Sequence, residues 1–285
     1  MLFARFLRRV VRRGHLTVID ATGKTHMFGV AGSRPAAVIR LHDRALHHKL
    51  FFNPYLDVGE AYMDGTLTLE EGTIRDFLEL CCVNLGVLEP TGAERLVRRL
   101  ARLLRPLTQH NPIGRARRNV AHHYDLSDTL YDLFLDRDRQ YSCAYFASPD
   151  LTLDEAQEAK TRHLAAKLLL EPGCKVLDIG SGWGGLALYL ARVADADVTG
   201  VTLSEEQHKV SERRAKEAGL EDRVRFRLRD YREETGRYDR IVSVGMFEHV
   251  GAKHYGEFFG KIDELLADDG VALLHSIGRS DGPGT

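Results

Sequence analysis

The chain has 285 residues, 44% of them apolar and 28% charged. At about 150 residues per domain this length suits two domains, and the composition excludes extensive disorder. No apolar run reaches the roughly 18 residues of a spanning helix, so a soluble globular chain is expected. The formal charge of −1 conceals an asymmetry. Arg5, Arg8, Arg9, Arg12 and Arg13 precede the first acid, Asp20, and eight more arginines fall between Arg95 and Arg118 with no acid among them. The remainder therefore carries about −14, and basic charge grouped this way suits an anionic surface.

The opening MLFARFLRRVVRRG breaks its apolar residues with arginine every two or three positions. It lacks the apolar stretch of a secretory signal and reads as a basic surface segment. LTVID, the turn ATGK and THMFGV form an expected hairpin, AAVIRLH a further strand, and TIRDFLELCCVNLGVL a helix. In AERLVRRLARLLRPL, Leu96, Leu100, Leu103, Leu104 and Leu107 share one helical face with arginines largely elsewhere. That helix is either a packing element with a solvated arginine face or a membrane-surface element. Pro106 and Pro112 end it and mark a domain boundary.

A regular alternation follows. Thr152-x-x-Glu155 is a capping box that opens a helix running to Leu170. KVLDIG, DVTGVTL, RVRFRLRD, YDRIVSVG and VALLHSIG read as strands, separated by helices over GGLALYLARVA, EEQHKVSERRAKEA and FFGKIDELLA. Such spacing gives right-handed crossovers and a parallel sheet, a doubly wound α/β fold of Rossmann type. The ligand belongs at the carboxyl ends of the strands, near the switch point.

Cys81, Cys82, Cys143 and Cys174 form no C-x-x-C pair and no cluster at zinc spacing, which suits a reducing compartment without a structural metal. The strongest local signal is VLDIGSGWGG. A strand runs into Gly180, Gly182 and Gly184 before a helix, letting a ligand approach the backbone and the helix N-terminus. Gly180, Gly182 and Gly185 also fit a dinucleotide loop, which expects an acid closing the second strand. Thr202 and Ser204 stand there instead, which weakens a nicotinamide reading. Ser204-x-x-Gln207 is a capping box on one reading and places Gln207 on a ribose on the other.

The glycine loop resembles that of class I S-adenosylmethionine-dependent methyltransferases. HHYDLSD (122–128), QYSCAYF (140–146), VLDIGSGWGG (176–185), TLSEEQ (202–207), RDYRE (229–233), FEHVG (247–251) and LLHSIG (273–278), in this order, look like the cyclopropane-fatty-acyl-phospholipid synthase and mycolic-acid methyltransferase family. VGEAYMDGTL (58–67) further resembles the N-terminal domain of the phospholipid synthases. The resemblance divides the chain into a lipid- or membrane-associated α+β domain over 1–92, a basic helix and linker over 93–118, and a methyltransferase domain over 119–285. Family members continue for about a hundred residues beyond the region matched, so strands six and seven are expected to be missing and the chain to be a fragment of a longer protein.

The resemblance implies S-adenosylmethionine as cofactor, bound by Tyr124, Tyr141, Ser142, Asp178, Gly180, Ser181, Gly182, Trp183, Gly184, Thr202, Leu203, Ser204, Gln207, Asp230 and Tyr231. Aromatic faces and oxygens suit a sulfonium. Read structurally, Tyr124 and Tyr141 are half-buried aromatics and Asp230 is an exposed loop acid. The implied reaction adds a methyl across a cis double bond of an unsaturated phospholipid acyl chain and closes a cyclopropane ring. The implied base is a bicarbonate ion held by Cys143, Glu248 and His275, near the Ile277 backbone, with the three converging on one pocket. Singly, Cys143 reads as a buried hydrophobe, Glu248 as an arginine partner and His275 as a core histidine.

A methyl-branched or methylene product, or a non-catalytic binding relative, are the alternatives. The partners expected are the acyl chains and an anionic membrane surface, with a cytoplasmic, inner-face peripheral location and no nucleic acid. A homodimer stays open.

Overall fold

The fold is described from a computed structural model, for residues 2–85 and 128–278. The chain divides into two units, Met1–Arg99 and Leu100–Thr285. The basic helix expected within 93–118 and Tyr124 lie outside the described residues.

In the first unit β1 (His15–Ile19) and β2 (Thr25–Gly29) form the expected antiparallel hairpin. Asp20 closes its turn, accepting from the Thr22 and Lys24 amides. β3 (Ala36–Leu41) runs parallel to β1, and β4 (Leu67–Glu71) antiparallel to β3, giving the order β2-β1-β3-β4. Leu16, Val18, Ile39, Leu41 and Leu67 bury one sheet face. Among its described residues this unit has the helices α1 (Leu2–Val10), α2 (Leu46–Phe52), α3 (Pro54–Met63) and α4 (Ile74–Leu85).

The opening segment is a correction. It is not merely a basic surface segment, because Phe3, Ala4, Leu7 and Val11 recur at helical spacing and are buried in the core. Each large apolar side chain so buried contributes about 1.5–3 kcal/mol. Arg5, Arg8, Arg12 and Arg13 remain exposed. Asn84 of α4 fastens the helix end, accepting the Arg12 and Arg13 amides at 2.9 Å and donating to the Arg13 and Leu80 carbonyls at 2.8 Å.

The second unit opens with the short α5 (Asp128–Asp132) and α6 (Leu153–Lys167). The expected capping box opens α6, with Thr152 Oγ1 accepting the Glu155 amide and Glu155 accepting the Thr152 amide at 2.8 Å. Then β5 (Lys175–Ile179), α7 (Gly185–Ala194), β6 (Asp197–Thr202), α8 (Glu205–Glu217), β7 (Val224–Leu228), β8 (Tyr238–Val244), α9 (Tyr255–Leu265) and β9 (Leu266–His275) alternate. The five strands are parallel in the order β7-β6-β5-β8-β9.

The pleat sends neighbours to opposite faces. Val176, Val198 and Val242 pack with α6, α7 and α8, whereas Leu177, Val201 and Ile241 pack with Phe258, Ile262 and Leu265 of α9. Helices therefore cover both faces, as expected of a doubly wound sheet. The strand order reverses at β5, which places a crevice at its carboxyl end. Among the described residues no helix is long and apolar enough to cross a membrane.

Candidate active site

At the end of β5 the backbone turns through Gly180, Ser181, Gly182, Trp183 and Gly184 into α7. The Gly180 and Ser181 amides both donate to the Val201 carbonyl at 3.0 Å, holding the loop to β6. Two glycines are needed for different reasons. Gly184 has φ +83, and a Cβ there would lie 2.6 Å from the Phe226 ring. Gly182 has φ +54, and a Cβ there would meet nothing within 4 Å, because it faces open space.

That space is a cavity of about 240 Å³. Asp178, Gly180, Ser181, Gly182 and Trp183 form its floor, with Thr202, Leu203 and Gln207 from the end of β6 on one side. Asp230 and Tyr231 reach it from the turn after β7, and Tyr141 and Ser142 from the segment before α6. Twelve of the residues expected at the cofactor thus share one cavity. Tyr141 is about half exposed and stands edge-on to Trp183, at 6.4 Å between ring centroids, and to Tyr131 at 5.6 Å.

Two of the expected residues do not line it. Gly184 sits behind the loop against Phe226, where its role is helix entry. Ser204 is fully buried as the cap of α8, its hydroxyl accepting the Gln207 amide at 3.2 Å. Gln207 itself is both within the cap and on the cavity wall, and Thr202 Oγ1 donates to its Oε1 at 2.9 Å.

The electrostatics of the floor are unusual. Asp178 is 2% exposed, its Oδ2 has no hydrogen-bond partner, and burial pushes its carboxyl up to about 7. Ser181 Oγ is buried and likewise unpartnered. Such atoms in a cavity mark where a polar ligand completes the bonding. Asp230 is not an exposed loop acid. It is buried, and Arg232 holds it through the backbone amide at 3.0 Å, Nε at 2.9 Å and a guanidinium NH2 at 2.8 Å. Burial pushes the neighbouring Tyr231 phenol up to about 12.

Cys143, Glu248 and His275, expected to converge on one pocket, are not among the residues that line this cavity. Cys143 is exposed, not a buried hydrophobe, and follows the wall residue Ser142. Glu248 is exposed in the short turn Phe247–His249 after β8, and its Oε1 accepts the Ile277 amide at 2.6 Å instead of pairing with an arginine. His275 ends β9 opposite Val244, with its Nδ1 buried and unpartnered. The wall on that side is made by Val244, Gly245, Met246 and His249, which sequence reasoning did not select. Arg214 of α8 was also unforeseen. It donates to the Trp183 carbonyl at 2.8 Å and bonds Asp138, tying the glycine loop to the 136–140 turn. No group of three or more potential metal ligands occurs among the described residues.

A parallel sheet with a glycine loop after its central strand and a cavity over that loop is the fold of S-adenosylmethionine-dependent methyltransferases. Within that class, a family model described as mycolic acid cyclopropane synthetase matches residues 112–283, and the chain belongs to this family.

It is 39% identical over 261 residues to a probable fatty acid methyltransferase of Pseudomonas putida, covering 89% of this chain and 64% of that protein. It is 50% identical over 156 residues to the cyclopropane-fatty-acyl-phospholipid synthase of Escherichia coli K12, covering 55% and 40%. Among solved structures it resembles mycolic acid cyclopropane synthase CmaA1 complexed with SAH and CTAB, with TM-score 0.55, 40% identity, and 58% and 57% coverage. The chain thus spans between 40% and 64% of the length of these two sequence relatives.

Proposed function

We propose that the chain catalyses methyl transfer from S-adenosylmethionine to the cis double bond of unsaturated phospholipid acyl chains, giving a cyclopropane ring. The observation that carries the donor site is the pair of buried, unpartnered atoms, Asp178 Oδ2 and Ser181 Oγ, on the floor of a glycine-lined cavity. When bound, the sulfonium supplies an electrophilic methyl group. Asp178 would accept from a cationic end of the ligand, and Gly182 leaves the room for it. Tyr141 and Trp183 offer aromatic faces to positive charge. Gln207 and Asp230 stand on walls suited to the sugar and base.

Cys143, Glu248 and His275 are the residues we assign to a bicarbonate ion. His275 Nδ1 fits this role, because it is buried and lacks a partner that an anion would supply. The anion, when bound, is an acceptor for the proton lost from the new methyl group. The exposed arginines of α1, together with those of 95–118, would hold the protein on the anionic inner face of the membrane, at about 1 kcal/mol each.

The test is to incubate the chain with methyl-labelled S-adenosylmethionine and vesicles of unsaturated phospholipid, then analyse the released acyl chains by mass spectrometry. Chains heavier by one CH2 that resist mild hydrogenation support the proposal; no labelled lipid refutes it. A second reading rests on the relative covering most of this chain, named a probable fatty acid methyltransferase. There the same transfer leaves a carbocation that loses a proton without closing the ring, from the methyl group after a hydride shift or from a neighbouring chain carbon, giving a methylene or a methyl-branched unsaturated chain, either of which would take up hydrogen.

A further inference from the structure

The cavity wall from Gln140 to Ser142 lies in no helix or strand. What holds it comes from α6. Gln157 Nε2 donates to the Ser142 carbonyl at 2.9 Å and to the Gln140 carbonyl at 3.1 Å, and Lys160 Nζ donates to Ser142 Oγ at 2.7 Å. Gln157 and Lys160 are three apart, so they share a helix face, and they are only 4% and 3% exposed.

A lysine buried this deeply is costly, and an apolar side chain of similar length would serve packing as well. Burial lowers its amine to about 8, with Asp136 and Asp138 opposing that shift, so the group is still mostly an ammonium at pH 7. An ammonium donates and cannot accept. Ser142 Oγ must therefore be the acceptor in this bond, and its own hydrogen must point elsewhere. Among the described residues the hydroxyl makes no hydrogen bond besides that from Lys160, and Ser142 lines the cavity.

We propose that Gln157 and Lys160 are positioning residues of the donor site, which tether the 140–142 wall and fix the Ser142 hydroxyl as a hydrogen-bond donor aimed at a carboxylate in the cavity. The inference rests on the donor reading above and deepens it. The amino-acid carboxylate is the one anionic group of S-adenosylmethionine, and the positive charge behind Ser142 favours an anion at that end of the cavity. A helix-to-loop tie with no such role would stabilise the wall without distinguishing ligands by their charge.

The test compares two probes by calorimetric titration of the 285-residue chain. S-adenosylhomocysteine carries the carboxylate, and 5′-methylthioadenosine has the same adenosine and thioether without it. Lys160→Met is expected to weaken S-adenosylhomocysteine at least tenfold and to leave methylthioadenosine within twofold. Equal weakening of both probes, or of neither, overturns the proposal. Ser142→Ala removes only the hydroxyl, keeps both α6 side chains although Lys160 loses its acceptor, and should give the same selective loss. If it leaves S-adenosylhomocysteine unchanged, the proposal fails even where the Lys160 variant does not fold. A wild-type chain that binds neither probe would refute the donor reading and this inference with it. A wild-type chain that binds both, with no selective loss in the variants, refutes the inference alone.

Discussion

The Ile277 amide donates to Glu248 Oε1 at 2.6 Å, joining the chain that leaves β9 to the turn that follows β8. One carboxylate thus braces two neighbouring strand exits, and only one of its oxygens is committed to the brace. Glu248→Ala is expected to abolish turnover of unsaturated phospholipid by a hundredfold or more. At this exposed position it should cost the fold only about 1 kcal/mol. Glu248→Gln keeps the brace, and its amide can still hydrogen-bond a bound bicarbonate, so it should retain clearly more activity than Glu248→Ala. Parallel assays and melting curves of both variants check this.

Asp178 should govern how the ligand-free chain responds to pH. Its carboxyl is raised from 3.8 to about 7, so the folded state holds a proton that the unfolded state has released between those values. The folded state then binds more protons, and stability falls as pH rises through that window. Asp178→Asn is neutral and nearly isosteric. It is expected to remove the fall and to be more stable than wild type at pH 8, by on the order of a few kcal/mol. It should also bind S-adenosylmethionine at least tenfold more weakly. Melting at pH 5 and pH 8, with a titration, measures both.

Lys160 should act with the opposite sign in a different window. Its amine is lowered from 10.5 to about 8 by burial, against the carboxylates of Asp136 and Asp138. Between those values the unfolded state keeps a proton that the folded state has shed, so this group makes stability rise with pH. The difference in melting temperature between wild type and Lys160→Met should therefore shift in favour of wild type from pH 7.5 to pH 9.5. A difference that does not change with pH would contradict the assignment.

The loop glycines should separate folding from binding. Gly184→Ala drives a methyl into the Phe226 ring at a positive φ and is expected to destabilise by about 2–4 kcal/mol. Gly182→Ala meets no atom and should cost about 1 kcal/mol of backbone strain. Its methyl stands in the cavity, so S-adenosylmethionine binding should weaken far more than stability. Thermal melts and titrations of the two variants test this contrast.

The alternation of five apolar strands with amphipathic helices, and the glycines closing the first, were legible because both patterns are periodic and local. The caps at Thr152 and Ser204 were legible for the same reason. What escaped depends on contacts distant in sequence. Nothing in AQEAK announces that Gln157 and Lys160 are buried, since a helix rich in such residues ordinarily turns them to water. Asp230 reads as a loop acid until Arg232 folds over it. Glu248 reads as an arginine partner until the chain leaving β9 returns to it through the Ile277 amide. In the first unit, arginines interrupting MLFARFLRRVVRRG hid an apolar stripe at 3, 4, 7 and 11 that a helical count would have found.

Asn84 pins the backbone just beyond α1 at three points, so the arginines on and after that helix are mounted on a braced element and not on a loose tail. Their spacing is set before any encounter with negative charge. Little chain entropy is then lost when they meet it, and attraction should depend on the angle of approach as well as on the number of charges.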